Sequence, residues 1–197
     1  MQHFVSTSEI IRSLTFLALL ARDIYWYKME SWANLEKPLL RQRSAVGYLK
    51  RHVSLFGSVL VYLQLIGLKV LPFDPTTAVQ ILGFIIVSLG FATSMFARKE
   101  LGANWAHGAE YQIKESHTLT TSGIYGYVRH PIYAGLFLAV IGAEIVAGSF
   151  VFLLLLLALP IAATIQAKNE ERILTEKFGS EYISYMDKTK MLIPYIW

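Results

Sequence analysis

From residue 132 to residue 167 the chain carries a single charged side chain, Glu144, in 36 residues. At a rise of about 1.5 Å per residue such a run is too long for one crossing of a bilayer core of about 30 Å, and long enough for two short crossings. The run therefore predicts a helical hairpin, with its turn at "AGS", Ala147 to Ser149, where glycine and serine interrupt the apolar pattern. Pro160 falls in the second arm, where the missing N–H predicts a kink.

The rest of the chain fits the same environment. Hydrophobic residues make up 54% of it and charged residues 16%, with a mean hydropathy of +0.44, outside the range of soluble globular domains. Val70 to Ala97 is broken only by Asp74, and "AVQILGFIIVSLGFATSMFA" within it supplies a full span. Val53 to Leu71 reads as another, with Lys69 near its end able to snorkel. Leu14 to Ala21 is shorter because Glu9 and Arg12 flank it; it could span or lie at the interface. The opening "MQHFVSTSEIIRSL" lacks a basic leader with a clean apolar core and small-residue cleavage site, so no removable signal peptide is expected.

The fold class expected is all-α and polytopic, with about five transmembrane helices and short cytosolic amphipathic helices. Five spans would leave 22–52, 98–131 and 168–197 on one side, and 16 of the 18 Lys and Arg residues lie in those segments, Arg12 and Lys69 being the others. The positive-inside rule makes that side cytosolic. Orientation against anionic headgroups accounts for the net charge of +4, so no nucleic-acid partner is called for. There is no cysteine, which excludes disulfides, thiolate zinc sites, iron–sulfur clusters and a cysteine nucleophile. No metal site is expected. The tail 168–197 reads as two short amphipathic helices, Gly179 ending the first and Ser180 capping the second, whose apolar Tyr182, Ile183, Tyr185 and Met186 could lie on headgroups.

Chemistry concentrates at "VRHPIYAG", Val128 to Gly135. Pro131 suits the first position of a helix, because its missing N–H would be unpaired there anyway. That helix N-terminus, with Arg129 and His130 beside it, makes a site for a carboxylate or phosphate. Gly135, one turn in, removes a side chain where a ligand or another helix could approach, and Tyr133 presents a hydroxyl at the mouth. Taken singly, Arg129 and His130 would also suit lipid phosphates. Glu170 and Glu171, in "NEER", follow the hairpin at the same level. Two carboxylates facing an anion site suit a zwitterion whose cationic end glutamate holds, although acidic residues there would equally suit an exposed helix.

"HTLTTSGIYGYVRHPIYAG" followed by "NEERILTEKFGSEYISYM" resembles the isoprenylcysteine carboxyl methyltransferase family and its wider kin of membrane lipid methyltransferases, including phospholipid N-methyltransferases. The resemblance covers roughly 101–190. It implies S-adenosylmethionine as cofactor, with S-adenosylhomocysteine as product, and a cofactor-binding half, 98–197, which with the three N-terminal spans read from hydrophobicity (1–97) is expected to form a single membrane domain, 1–197. By motif position, Arg129, His130 and the helix starting at Pro131 would take the cofactor carboxylate. Tyr133, Gly135 and Glu170 would complete the cofactor site, Glu171 or its neighbour would sit near the reacting end, and His117, Leu119 and Tyr125 would line the adenosine. Asn104, with Trp105, matches a segment that positions the acceptor, and Trp105 also suits an ordinary interfacial anchor. The acceptor implied is lipophilic and reached from the bilayer among membrane lipids, a prenylcysteine-type carboxylate being one candidate. An amine acceptor would need a base, for which Glu171 or His107 would serve. Gln166 stands where the eukaryotic carboxyl methyltransferases tend to carry arginine, which removes a charge that an acceptor carboxylate would use. Two other readings stay open: a sterol-type reductase using nicotinamide dinucleotide phosphate, and a non-enzymatic membrane scaffold.

Overall fold

In a computed structural model of the chain, residues 6–33, 45–104 and 118–196 are described. The first helix, α1, runs Thr7–Ala33, well beyond the short apolar stretch that announces it. Its start is set by a local cap. Ser6 and Glu9 form a capping box, in which Ser6 N and Oγ donate to Glu9 Oε2 at 2.7 and 2.8 Å and Glu9 N donates back to Ser6 Oγ at 3.2 Å. Glu9, which on the sequence alone only shortens the apolar run, is thus the reciprocal partner of Ser6 in starting the helix.

The second helix, α2, covers Ala45–Leu65. It ends before the expected Leu71, and Lys69 lies in the loop that follows. The third, α3, spans Thr77–Leu101, begun by Thr76, whose hydroxyl accepts from Val79 N, and closed by Gly102. A 3₁₀ turn at Gly123–Gly126 precedes α4, Pro131–Ala147, and α5, Val151–Phe178. Between α4 and α5 the turn falls where the sequence puts it: Gly148 adopts the left-handed conformation (φ 74°) and donates to the last carbonyls of α4.

The tail departs from expectation. In place of two short helices, α5 continues unbroken from Val151 to Phe178, and only α6, Ser180–Lys188, is separate. "AKNEERILTEKF" contains no helix breaker, so nothing stops α5 at the end of its apolar part, near Ala167. Pro160 is accommodated inside α5, where Thr164 Oγ1 donates to the Pro160 carbonyl at 2.7 Å. Gly179, at φ 56°, both ends α5 and caps α6; Ser180 is already helical and makes no side-chain cap.

Among the described residues, two helices, Thr77–Leu101 and Val151–Phe178, are long and apolar enough to cross a membrane, while His52–Leu65 and Pro131–Ala147 are apolar but shorter. Leu154, Leu157, Ile161 and Ile165 of α5 and Leu82 and Leu89 of α3 are exposed, a surface suited to hydrocarbon rather than water. Helices α3 and α4 pack through glycines. A Cβ at Gly90 would stand 2.5 Å from Gly135 O and Ala139 N, and one at Gly142 would stand 2.6 Å from Gly83 O, so the backbones touch directly. Around this seam Val87, Ala139, Ala143 and Val146 join Ile11, Leu19, Val61 and Leu65 in the core. Glu144, fully buried, accepts from Gln64 Nε2 at 2.9 Å, which ties α4 to α2.

Candidate active site

The site forms where the start of α4 meets the end of α5. Residues 127–130 lead into α4 held against the segment after α6 by an isolated bridge between Val128 and Lys190: Arg129 N donates to Lys190 O (2.8 Å), His130 N to Met191 O (3.0 Å), and Lys190 N to Tyr127 O (3.2 Å). Pro131 then opens α4, with His130 as the residue before its first turn. Because α5 runs past its apolar part, it carries Glu170 and Glu171 onto this mouth.

Here the two carboxylates divide. Glu171, 9% exposed, accepts from Arg129 Nε at 2.6 Å, and the same oxygen lies 3.2 Å from His130 Nε2. A carboxylate only accepts, so Nε2 bears hydrogen and donates to it. Burial raises the Glu171 carboxyl, but the hydrogen bonds from His130 and Arg129 outweigh it and hold the group below the usual carboxylate range. Glu170 is more open, its side chain 35% exposed; its Oε2 accepts from the Tyr133 hydroxyl at 3.0 Å and lies 3.6 Å from His130 Nδ1. The His130 and Tyr133 rings stack, 5.5 Å between centroids and 11° apart, so both present their polar atoms to Glu170.

Arg129 is held from a second direction. Its Nη1 donates to the carbonyls of Met186 (3.1 Å) and Thr189 at the end of α6, where cations are favoured. With Nε on Glu171, only Nη2 makes no hydrogen bond among the described residues. Beside this cluster, Tyr125 is buried, and burial together with the nearby Glu170 charge pushes its phenol far above the usual range. Tyr182 is 1% exposed, and burial followed by the Glu171 charge pushes it up in the same way.

Of the residues singled out in the sequence, Arg129, His130, Tyr133, Glu170 and Glu171 come together, Pro131 opens the helix that carries Tyr133 and that Arg129 and His130 directly precede, and Tyr125 lies within electrostatic reach. Gly135 serves the other of its two possible occupants. Its added Cβ would meet Ser94 Oγ, and Gly90 O at 2.7 Å, so the space belongs to α3 and not to a ligand. Asn104 does not present a free amide: Nδ2 donates to Thr118 Oγ1 and Thr120 Oγ1, each at 3.1 Å, and Oδ1 accepts from Thr118 N at 3.2 Å. Leu119 is half-buried between those threonines. Trp105, His107 and His117 lie outside the described residues. Tyr182 and Met186 are visible in the sequence only as part of an apolar face, and Thr189 not at all, because main-chain carbonyls leave no sequence signal.

A family model described as phospholipid methyltransferase matches residues 78–181. The protein-S-isoprenylcysteine O-methyltransferase of Schizosaccharomyces pombe is 34% identical over 116 residues, covering 58% of this chain and 48% of that protein. Its namesake from Saccharomyces cerevisiae is 30% identical over 141 residues, covering 66% and 55%, and that of Homo sapiens 28% identical over 126 residues, covering 61% and 43%. The chain spans about half the length of the curated relatives it matches. Its fold is similar to a solved structure of the eukaryotic intramembrane Ras methyltransferase ICMT, with a TM-score of 0.56 at 23% identity over 79% of this chain and 55% of that one. The family match takes in α3, α4 and the glutamate pair, more than half of the 197 residues, and the chain belongs to the phospholipid methyltransferase family.

Proposed function

We propose that the chain is an integral membrane methyltransferase that uses S-adenosylmethionine and methylates a lipophilic acceptor. The observation that carries the proposal is the division of the glutamate pair. Glu171 is spent on Arg129, which leaves the half-exposed Glu170 as the carboxylate of the pair with no arginine or lysine partner among the described residues. S-adenosylmethionine, with a carboxylate, an ammonium and a sulfonium, carries one net positive charge, so donor set and ligand are complementary.

In this reading Arg129 Nη2 and the N-terminus of α4 hold the carboxylate, and Glu170, fixed by the Tyr133 hydroxyl, holds the cationic end. Glu171, hydrogen-bonded by His130, keeps Arg129 in place, while Tyr125 and Leu119 belong to the adenosine side. When bound, the cofactor supplies a methyl group made electrophilic by its sulfonium. What the protein adds is alignment of the acceptor behind that methyl and exclusion of water, for which positioning suffices. Asn104 contributes by tying Thr118 and Thr120 together, an indirect role in acceptor placement.

The names of the curated relatives support a prenylcysteine-type carboxylate as acceptor, and the family description supports a phospholipid amine. A carboxylate attacks without a base. An amine must first lose a proton, and Glu171, held by Arg129 and His130, is ill suited to take it. The bias of Lys and Arg to 22–52, 98–131 and 168–197 supports five crossings with this site on the cytosolic face.

Calorimetric titration of the detergent-purified protein with S-adenosylhomocysteine, beside reduced nicotinamide dinucleotide phosphate, tests the proposal. Saturable binding of the first alone is expected. Binding of the second alone would instead favour a reductase, and binding of neither a scaffold. Methyl transfer to farnesylcysteine analogues or to phosphatidylethanolamine vesicles then separates the acceptors.

A further inference from the structure

We infer that Tyr185 and Thr189 of the C-terminal helix are positioning residues of the site, which clamp Arg129 and the 3₁₀ turn at Gly123–Gly126 into one frame. The inference rests on the cofactor reading above and extends it to a segment that the motif does not include.

By its sequence pattern α6 is an amphipathic helix free to lie on headgroups. In the structure the two tyrosines of that side face the protein instead, Tyr182 and Tyr185 being buried and edge-on to each other, while Ile183 stays exposed. Two hydroxyls then do specific work. The Tyr185 hydroxyl donates at 2.7 Å to the Tyr125 carbonyl, in the turn that leads to Arg129. Thr189 Oγ1 donates to the Tyr185 carbonyl at 2.7 Å and lies 3.5 Å from Arg129 Nη1. The closing end of α6 is thereby fixed where its carbonyls receive Arg129 Nη1, and the following residues, Lys190 and Met191, receive the main-chain N–H groups of Arg129 and His130.

The consequence is geometric. A guanidinium is planar, so pinning Nε on Glu171 and Nη1 on α6 fixes the direction of Nη2, the nitrogen assigned to the ligand. Loosening α6 would let Arg129 follow its Glu171 partner alone and lose that direction. The same loosening would free the turn carrying Tyr125. Both effects fall on ligand affinity before they fall on the fold, because the α3–α4 seam and the core around it make no use of α6.

The test is the dissociation constant for S-adenosylhomocysteine, measured well below the melting temperature, in Tyr185→Phe, Thr189→Val and Thr189→Ser. The first two should bind about three- to tenfold more weakly, the size of one net hydrogen bond. Thr189→Ser, which keeps the hydroxyl, should bind like the parent. A purely structural role would lower the melting temperature and leave the affinity of the folded protein unchanged. Affinities within about twofold of the parent for both Tyr185→Phe and Thr189→Val would overturn the inference. If Tyr185→Phe does not fold, the Thr189→Val and Thr189→Ser pair decides alone. Failure of the parent protein to bind would overturn the cofactor reading itself, a distinct result.

Discussion

Replacing each glutamate of the pair separately by glutamine should give two different phenotypes. Arg129 and Glu171 have side chains only 10% and 12% exposed and meet at 2.6 Å. Removing one partner of a buried pair leaves an uncompensated charge and costs about 3–5 kcal/mol. The glutamine carbonyl can still accept from Arg129 Nε, so the lower end, about 3 kcal/mol, applies to Glu171→Gln. For a chain of this length that corresponds to a fall in melting temperature of roughly 6–12 °C. Ligand affinity should fall with it, because Arg129 loses its anchor. Glu170 has a side chain 35% exposed and keeps the Tyr133 hydroxyl bond as glutamine, so Glu170→Gln should cost about 1 kcal/mol or less. Its effect should appear in binding, a loss of roughly ten- to hundredfold, as expected for one charge-assisted contact. Melting curves of the detergent-purified variants and titration with S-adenosylhomocysteine measure both. Equal melting shifts for the two variants, or unaltered binding by Glu170→Gln, would refute the division of labour drawn here.

Gly135→Ala should separate α3 from α4, since the new methyl meets the Gly90 carbonyl at 2.7 Å and Ser94 N at 2.8 Å, backbone atoms that cannot turn aside. A loss of about 1–3 kcal/mol or more is expected by thermal melting, whereas Gly126→Ala, with its nearest atom at 3.4 Å, should be close to neutral. Because the Glu171 carboxyl is lowered from its ordinary value of 4.5, its contribution to stability is complete above pH 4.5 and is lost as the pH falls through the lower folded value. The melting temperature of the parent should therefore converge on that of Glu171→Gln in acid and separate from it above pH 4.5; a constant difference across the range would contradict the assignment. Asn104→Ala, which removes the bonds to Thr118 and Thr120, should speed amide hydrogen exchange at 118–121 while exchange in α4 stays unchanged.

The sequence made particular elements legible because they depend on short stretches of chain. The turn at Gly148 follows from a charge-free run too long for one helix, and the start of α4 follows from Pro131. The capping box of Ser6 and Glu9 is equally local, but a charged residue beside an apolar stretch shortens the run whether or not it caps the helix. The continuation of α5 to Phe178 was missed because the change from apolar to charged composition near Ala167 was taken as an end, although composition alone does not stop a helix. The site residues were found as a group, since arginine, histidine and paired glutamates have few reasons to flank apolar helices. Their partners were not: Gly135 had two possible occupants, and the carbonyls of Met186 and Thr189 are common to every residue.

The sequence by itself thus determined an all-helical chain with a hairpin of known turn, and brought two basic and two acidic residues to one end of that hairpin. Helix lengths, turns and first helical positions are set by neighbours a few residues apart. Only the tertiary structure decided that Glu171 pairs with Arg129 while Glu170 stays more open, that Gly135 belongs to α3, and that the end of α6 receives Arg129. Arg129 and Glu171 are 42 residues apart, and Arg129 and Thr189 are 60. At such separations the pairing is fixed by how the helices pack and by which buried charge must be compensated.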